Sequence, residues 1–86
     1  MKFRKKPVVI EAFQWKPKAR VDETPDWFFN ACFQQRIYPE IDGTLSILTL
    51  ERKMTAQPGD WLIKGLQDEL YPCKPDFFAA TYDPVD

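Results

Sequence analysis

The sequence predicts an α+β domain in which a small antiparallel sheet packs against one main helix and a short C-terminal helix. Three observations predict it. A strand-like run opens the chain, a helix with a clear start signal follows, and from residue 37 onward short strand-like segments alternate with turn signals. Short links between strands favour antiparallel pairing, because parallel strands need long crossovers. At 86 residues the chain is predicted to form one domain, 1–86.

The first strand is predicted over Pro7–Trp15, which is rich in β-branched and aromatic residues. Alternation gives it two apolar faces, formed by Val8, Ile10 and Ala12 and by Val9, Phe13 and Trp15. Such a strand is predicted to be central in its sheet, or covered by a helix on one face and a second subunit on the other. Within it, Glu11 is a candidate buried acid, although we favour an edge-facing or Lys-paired glutamate.

The main helix is predicted to run from Pro25 to about Gln35. Thr24 can cap it, Pro25 fits the first helical position, and Asp26 complements the helix dipole. The predicted inward stripe comprises Trp27, Phe28, Ala31 and Cys32, with Phe29 and Phe33 widening the apolar face.

The C-terminal half is predicted to be a meander of short strands. Its predicted elements are a turn at Asp42-Gly43, a hairpin of Leu45–Leu50 and Lys53–Gln57, a type II turn at Pro58-Gly59, strands over Trp61–Lys64 and Glu69–Cys73, and a helix from Asp76 to about Tyr82 opened by Pro75. In the hairpin, Met54 and Ala56 are predicted to point inward.

Charge is distributed unevenly along the chain. Residues 1–20 hold seven Lys/Arg against one acid, whereas residues 21–86 hold five against twelve. We call residues 1–6 the basic arm; its cations are Lys2, Arg4, Lys5 and Lys6. Such an arm can contact phosphates or an acidic partner, or it can simply solvate the entry to the first strand, which is the commoner situation.

Several chemistries are missing from the sequence. With no histidine and one serine, neither Ser-His-Asp nor Cys-His catalysis can be assembled, and two cysteines alone cannot make a structural zinc site. The three glycines lack phosphate-loop spacing. Two carboxylate pairs remain, Glu40 with Asp42 and Asp68 with Glu69, but turns are where solvated acids normally lie. We therefore predict no enzyme and no cofactor.

The cysteines and the opening residues indicate a compartment. No apolar run is long enough to span a membrane, and the run from Val8 ends at Glu11, too early for a signal peptide. We expect a cytoplasmic protein in which Cys32 and Cys73 are unpaired and mostly buried. Cys73 precedes Lys74 and a helix start, which could make it a reactive thiol, but a buried apolar role is the commoner one.

Two stretches, FRKKPVVIEAFQW and PGDWLIKG…ELYPCKPDFFAATYDPV, carry a resemblance. They are similar to an uncharacterised family of small proteins encoded by tailed bacteriophages and prophages, with a signature like PGDWIIKG…FYPCKPDIF…TY. The matching positions run from Pro58 to Gly65, Leu62 aside, and from Tyr71 to Phe77, with Thr81 and Tyr82. The resemblance implies an accessory phage product acting in a bacterial host cell, and it implies no activity.

Two kinds of binding therefore remain as the main functional hypotheses. The first is a protein-binding module that engages a host or phage protein and is expected to form homo-oligomers. It is favoured because thirteen aromatic residues exceed what one helix layer can cover. The second is nucleic-acid binding by the basic arm with Phe3 or Trp15, opposed by the acidic body. A third is a small anionic ligand held by Lys64 or Lys74. The candidate binding residues are Lys2, Arg4, Lys5, Lys6, Trp15, Asp60, Lys64, Tyr71 and Lys74.

Overall fold

The computed structural model describes residues 1–4 and 6–85 and confirms the α+β prediction, with two antiparallel three-stranded sheets and two short helices. The elements are β1 (Glu11–Gln14), a 3-10 turn (Val21–Glu23), α1 (Asp26–Phe33), β2 (Ile37–Pro39), β3 (Leu45–Leu48), β4 (Lys53–Ala56), β5 (Trp61–Lys64), β6 (Leu70–Cys73) and α2 (Pro75–Thr81). Strand order is β1-β5-β6 in the first sheet and β2-β3-β4 in the second. The strands thus divide into two sheets, which meet where β6 contacts β3 and β4.

The turn between β4 and β5 directs this division. Gly59 has φ +95°, and the N–H of Asp60 donates to the carbonyl of Gln57 at 2.9 Å, as the predicted type II turn requires. The Asp60 carboxylate accepts the N–H of Gln57 at 2.8 Å, and the N–H of Gly59 donates to the carbonyl of Trp15 at 2.8 Å. The turn therefore brings β5 alongside β1 instead of continuing the second sheet.

Of the two alternatives predicted for the first strand, the central position is wrong, whereas cover by a helix on one face is observed. The strand is confined to Glu11–Gln14 and lies at the edge of its sheet, paired with β5 alone from Glu11↔Lys64 to Gln14↔Trp61. Residues 7–10 precede it outside any strand. Apolar character on both faces has another cause: Phe13 packs against α1, while Ala12 faces a groove on the opposite side of the sheet.

Helix α1 is shorter than predicted at both ends, and it ends at Phe33 instead of near Gln35. Pro25 occupies the N-cap, and the hydroxyl of Thr24 donates to the carbonyl of Arg20 instead of capping the helix. Pro25 is extended (ψ 150°), so the helix begins one residue later than predicted. Phe28 is buried as predicted, but Phe33 lies on the solvent side of the last turn and is 91% exposed.

The main core fills the space between α1 and the two sheets. Its buried members are Trp15, Phe28, Ala31, Ile37, Leu45, Ile47, Ala56, Leu62 and Leu70. Trp15 stacks on Phe28 with ring centroids 5.6 Å apart, and its indole N–H donates to the carbonyl of Gly43 at 2.9 Å. Ile63 is 1% exposed yet lies outside this cluster, on the other face of the first sheet.

Helix α2 covers part of that other face. Pro75 occupies its first turn, as predicted, and the ring of Phe78 stacks on Trp61 at 4.1 Å with only 4° between the ring planes. Offset or stacked aromatic pairs contribute about 0.5–1.5 kcal/mol beyond their buried area. The first sheet is therefore sandwiched between the main core and a small aromatic cluster.

Candidate binding groove and basic arm

A groove of about 760 Å³ runs across the first sheet on the side opposite α1. Residues 6–10 form one wall, Ala12 and Trp61 form the floor, and Phe78 with residues 81–85 forms the other wall. Most of these side chains are apolar, while Lys6 and Asp83 are charged. We call this cavity the groove.

Alternation along two paired strands creates the floor. Ala12 pairs with Ile63 and Gln14 pairs with Trp61, and directly opposite residues of an antiparallel pair share a face. Ala12 is small, so the sheet surface is low at that point and the rings of Trp61 and Phe78 rise beside it. The shape of the groove thus follows from a small residue beside two large ones.

An aromatic network supports the α2 wall. The rings of Phe78 and Tyr82 lie 5.1 Å apart. Burial, together with a hydrogen bond to Tyr82, raises the pKa of Tyr71 to about 12. The Tyr71 phenol is therefore uncharged at neutral pH. Its hydroxyl is hydrogen-bonded to Tyr82, which is the C-cap residue of α2 and lines the groove.

The basic arm leads into the groove. Lys2, Arg4 and Lys6 are exposed, Phe3 is 87% exposed, and Lys6 also lines the groove. The candidate Lys5 lies outside the described residues. Within the residues that the structure describes, no ion pair involves Lys2, Arg4 or Lys6. These three charges remain available to a partner.

Two other candidate residues bind each other. Asp60 is 4% exposed, and its carboxylate accepts from the ammonium of Lys74 at 3.1 Å as well as from the N–H of Gln57. The Asp60 carboxylate thus fixes the turn that precedes β5. Because Lys74 is the N-cap residue of α2, the pair connects the turn before β5 to the helix that forms the groove wall.

Lys64 and Trp15 are also engaged within the chain. The ammonium of Lys64 lies 3.4 Å from the carboxylate of Asp68, which Arg36 approaches to 3.7 Å. An external anion at Lys64 would compete with this carboxylate. Trp15 is 6% exposed and stacked in the core, so its ring is not accessible for stacking on a nucleic-acid base.

The thiols do not have the electrostatics of reactive cysteines. Burial, together with the negative charges of Asp60 and Asp76, raises the pKa of Cys73, whereas activation by Lys74 and the helix would lower it. Burial raises the pKa of Cys32 as well. Both cysteines are unpaired, as expected, but each is only partly buried.

The carboxylate pairs serve their own turns. Asp42 accepts the N–H and the hydroxyl of Thr44, at 3.0 and 2.7 Å, and these hydrogen bonds lower its pKa. Glu69 accepts the N–H of Gln67 at 2.8 Å, and Glu11 is exposed. Among residues 1–4 and 6–85, no group of three or more cysteine and carboxylate side chains could hold a metal ion.

The sequence did not reveal the groove, although it carried part of the signal. Val8, Ile10 and Ala12 were predicted to share a face, and all three line the groove together with Trp61 of the paired strand β5. What the pattern lacked was the position of α2, because the contact of Phe78 with Trp61 is a tertiary one. The groove brings Lys6 together with apolar residues that were assigned to packing.

Comparisons with protein-family models, curated protein sequences and solved structures found no match to this chain. Neither helix in the described part of the chain has the length and apolar character needed to cross a membrane.

Proposed function

We propose that this protein is a non-enzymatic interaction module that binds a segment of a partner protein in the groove. The resemblance to tailed-phage and prophage accessory proteins supports a bacterial host cell, and its cytoplasm, as the place of action. The partner is then a host or phage protein.

The groove is the observation that carries the proposal. Its volume of about 760 Å³ lies within the roughly 300–1,000 Å³ typical of ligand sites. Its floor and much of its walls are apolar, and its charged residues are Lys6 and Asp83. An apolar centre with a polar rim is the usual anatomy of a protein interface. Trp61 in the floor is already stacked on Phe78 in the wall before binding, which lowers the entropy lost on association.

The test uses two variants that differ only in position. Val9 lines the groove and is 73% exposed, whereas Val21 lies in the 3-10 turn away from it and is 76% exposed. Val9→Glu puts a charge into the apolar groove, and Val21→Glu is its matched control. Both substitutions should leave the melting temperature unchanged, because the side chains are largely exposed.

The wild-type protein carrying an affinity tag in the turn at Leu50 is recovered from bacterial cells, with and without nuclease treatment. We expect defined partner proteins that survive nuclease, are lost with Val9→Glu and are retained with Val21→Glu. A purified partner should then bind at least about tenfold more weakly to Val9→Glu in direct titration. Equal capture by both variants would refute the groove as the site.

Nucleic-acid binding is a second candidate, favoured by the three exposed cations of the described arm and by Phe3. If it operates, DNA affinity should fall with salt with a logarithmic slope of about −3 to −4, and charge reversal of the arm should abolish it. The acidic body opposes this binding at low salt. We expect an affinity weaker than micromolar at physiological salt, and tighter binding in the presence of competitor DNA would place this candidate first.

A further inference from the structure

We infer that the occupant of the groove is an extended peptide strand that adds antiparallel to β1 and carries acidic residues at its C-terminal end. This inference rests on the proposed function and specifies the chemistry of the partner. Three features of the described residues support it: the free edge of β1, the faces of that edge, and the charge of the arm.

The free edge of β1 offers backbone hydrogen-bonding groups. The N–H of Trp15 donates to the carbonyl of Asp60 at 2.7 Å, and the carbonyl of Trp15 accepts from Gly59, so the Trp15 backbone faces β5. The backbone N–H and C=O groups alternate in direction along an antiparallel strand. Those of Phe13 therefore also point toward β5, whereas those of Ala12 and Gln14 point away from it. Since β1 has β5 as its neighbour in the sheet order, Ala12 and Gln14 can pair with an added strand.

Strand addition at this edge would deliver side chains directly into the groove. A residue of the added strand opposite Ala12 must lie on the same face of the sheet as Ala12, and that face is the groove floor. Residues two positions away on either side would share this face, so every second side chain of the added strand should be apolar. The small side chain of Ala12 leaves room for a large one opposite it.

Charge specifies the chemistry of the partner's C-terminal end. The chain continues from β1 back through Pro7 to Lys6, Arg4 and Lys2, with no acid among residues 1–6. An antiparallel partner runs the other way, so its C-terminal part passes the arm. Pro7 has no N–H to continue a ladder, which leaves charge as the means of recognition there. Acidic residues are therefore expected about six positions after the residue opposite Ala12.

A second copy of this chain does not fit the same edge. Two β1 strands related by a twofold axis would run antiparallel, and each arm would pass the segment that follows β1 in the other copy. That segment carries Lys16 and Lys18, both exposed. Like charges would then face each other, which selects against this pairing.

The test uses three synthetic peptides and the full-length protein. The first peptide has alternating Val and Thr followed by a block of four Glu; the second has the same residues with the Glu block first; the third has Gln in place of Glu. Fluorescence anisotropy measures binding at low and high salt. We expect the first peptide to bind at least about tenfold more tightly than the third. The second should bind with intermediate affinity, because its Glu block passes the two cations Lys16 and Lys18 and not the three of the arm, and these differences should be lost at high salt.

Two further measurements separate strand addition from other modes of binding. Hydrogen exchange at the amides of Ala12 and Gln14 should slow at least about tenfold when the first peptide is bound, while Phe13 serves as the internal control because it already faces β5. Reversing the arm with Lys2→Glu, Arg4→Glu and Lys6→Glu should remove the preference for the first peptide. Lys16→Glu with Lys18→Glu, the matched control, should retain the preference for the first peptide and weaken binding of the second.

Equal affinity for the first and second peptides, or unchanged exchange at Ala12 and Gln14, would overturn the inference. These outcomes can be distinguished from failure of the proposed function. If Val9→Glu still abolishes capture of the natural partner while the first and second peptides bind with equal affinity, the groove binds proteins in another way. If Val9→Glu has no effect on capture, the proposed function fails as well.

Discussion

Replacing Gly59 by alanine tests how strongly the β4–β5 turn determines the architecture. Gly59 has φ +95°, and a Cβ built there meets no atom within 4 Å. The substitution therefore creates no clash with the surroundings, and its whole effect comes from the backbone conformation. A residue with a Cβ is disfavoured at positive φ by roughly 1–2 kcal/mol. Alanine also restricts the unfolded chain, which offsets about 0.4–1 kcal/mol of that loss.

The net expectation is a destabilisation of about 1 kcal/mol, or a melting temperature lower by about 4–8 °C for a domain of this size. Circular dichroism melts and urea titrations measure both quantities. Gly59→Asn is the control, because asparagine tolerates positive φ better than alanine, and its loss should be smaller. A Gly59→Ala variant that melts with the wild type would show that the turn does not require glycine.

Three further predictions concern groups described above. The pKa of the Tyr71 phenol is about 12 in the folded protein, above the unfolded value near 10. The free energy of unfolding should therefore fall as pH rises from about 10 to 12, because the unfolded state loses its proton first. Tyr71→Phe should remove that part of the decline, as thermal melts across this pH range would show. Cys32 and Cys73 should react with a thiol reagent more slowly in the native than in the denatured state because both have raised pKa values, and fast native labelling of Cys73 alone would contradict this. Light scattering at micromolar concentration should give a mass above 10.1 kDa, through a surface such as the one around the exposed Phe33 and not the β1 edge; a monomer at all concentrations would refute self-association.

Local signals predicted the C-terminal half well. The strand over Trp61–Lys64 has the predicted bounds, and Gly59 and Pro75 occupy the predicted positions in a turn and a helix start. Each of these depends on the backbone preferences of proline and glycine, which can be read directly from the sequence. The inward direction of Ala56 followed from simple alternation in the same way.

Long-range pairing could not be predicted by the same means. The apolar pattern of residues 8–15 fits a central strand and an edge strand between two layers equally well, and only the pairing of β1 with β5 decides between them. Asp60 and Lys74 were each predicted as candidate binding residues, but their contact with each other joins residues 14 positions apart in the sequence. The groove depends on both the local apolar pattern and long-range pairing. The sequence therefore indicated residues of one wall and of the floor, but not that they enclose a space.

The position of Trp61 in the floor of the groove gives the protein an intrinsic fluorescence probe. Of the three tryptophans, Trp15 is shielded in the core and Trp27 packs at its margin, whereas Trp61 lies in the groove against Phe78. An occupant that displaces water from the floor should shift the emission of Trp61 to shorter wavelength and leave that of Trp15 unchanged. Replacing Trp27 by phenylalanine would simplify the spectrum, and the filling of the groove could then be followed in an unlabelled chain.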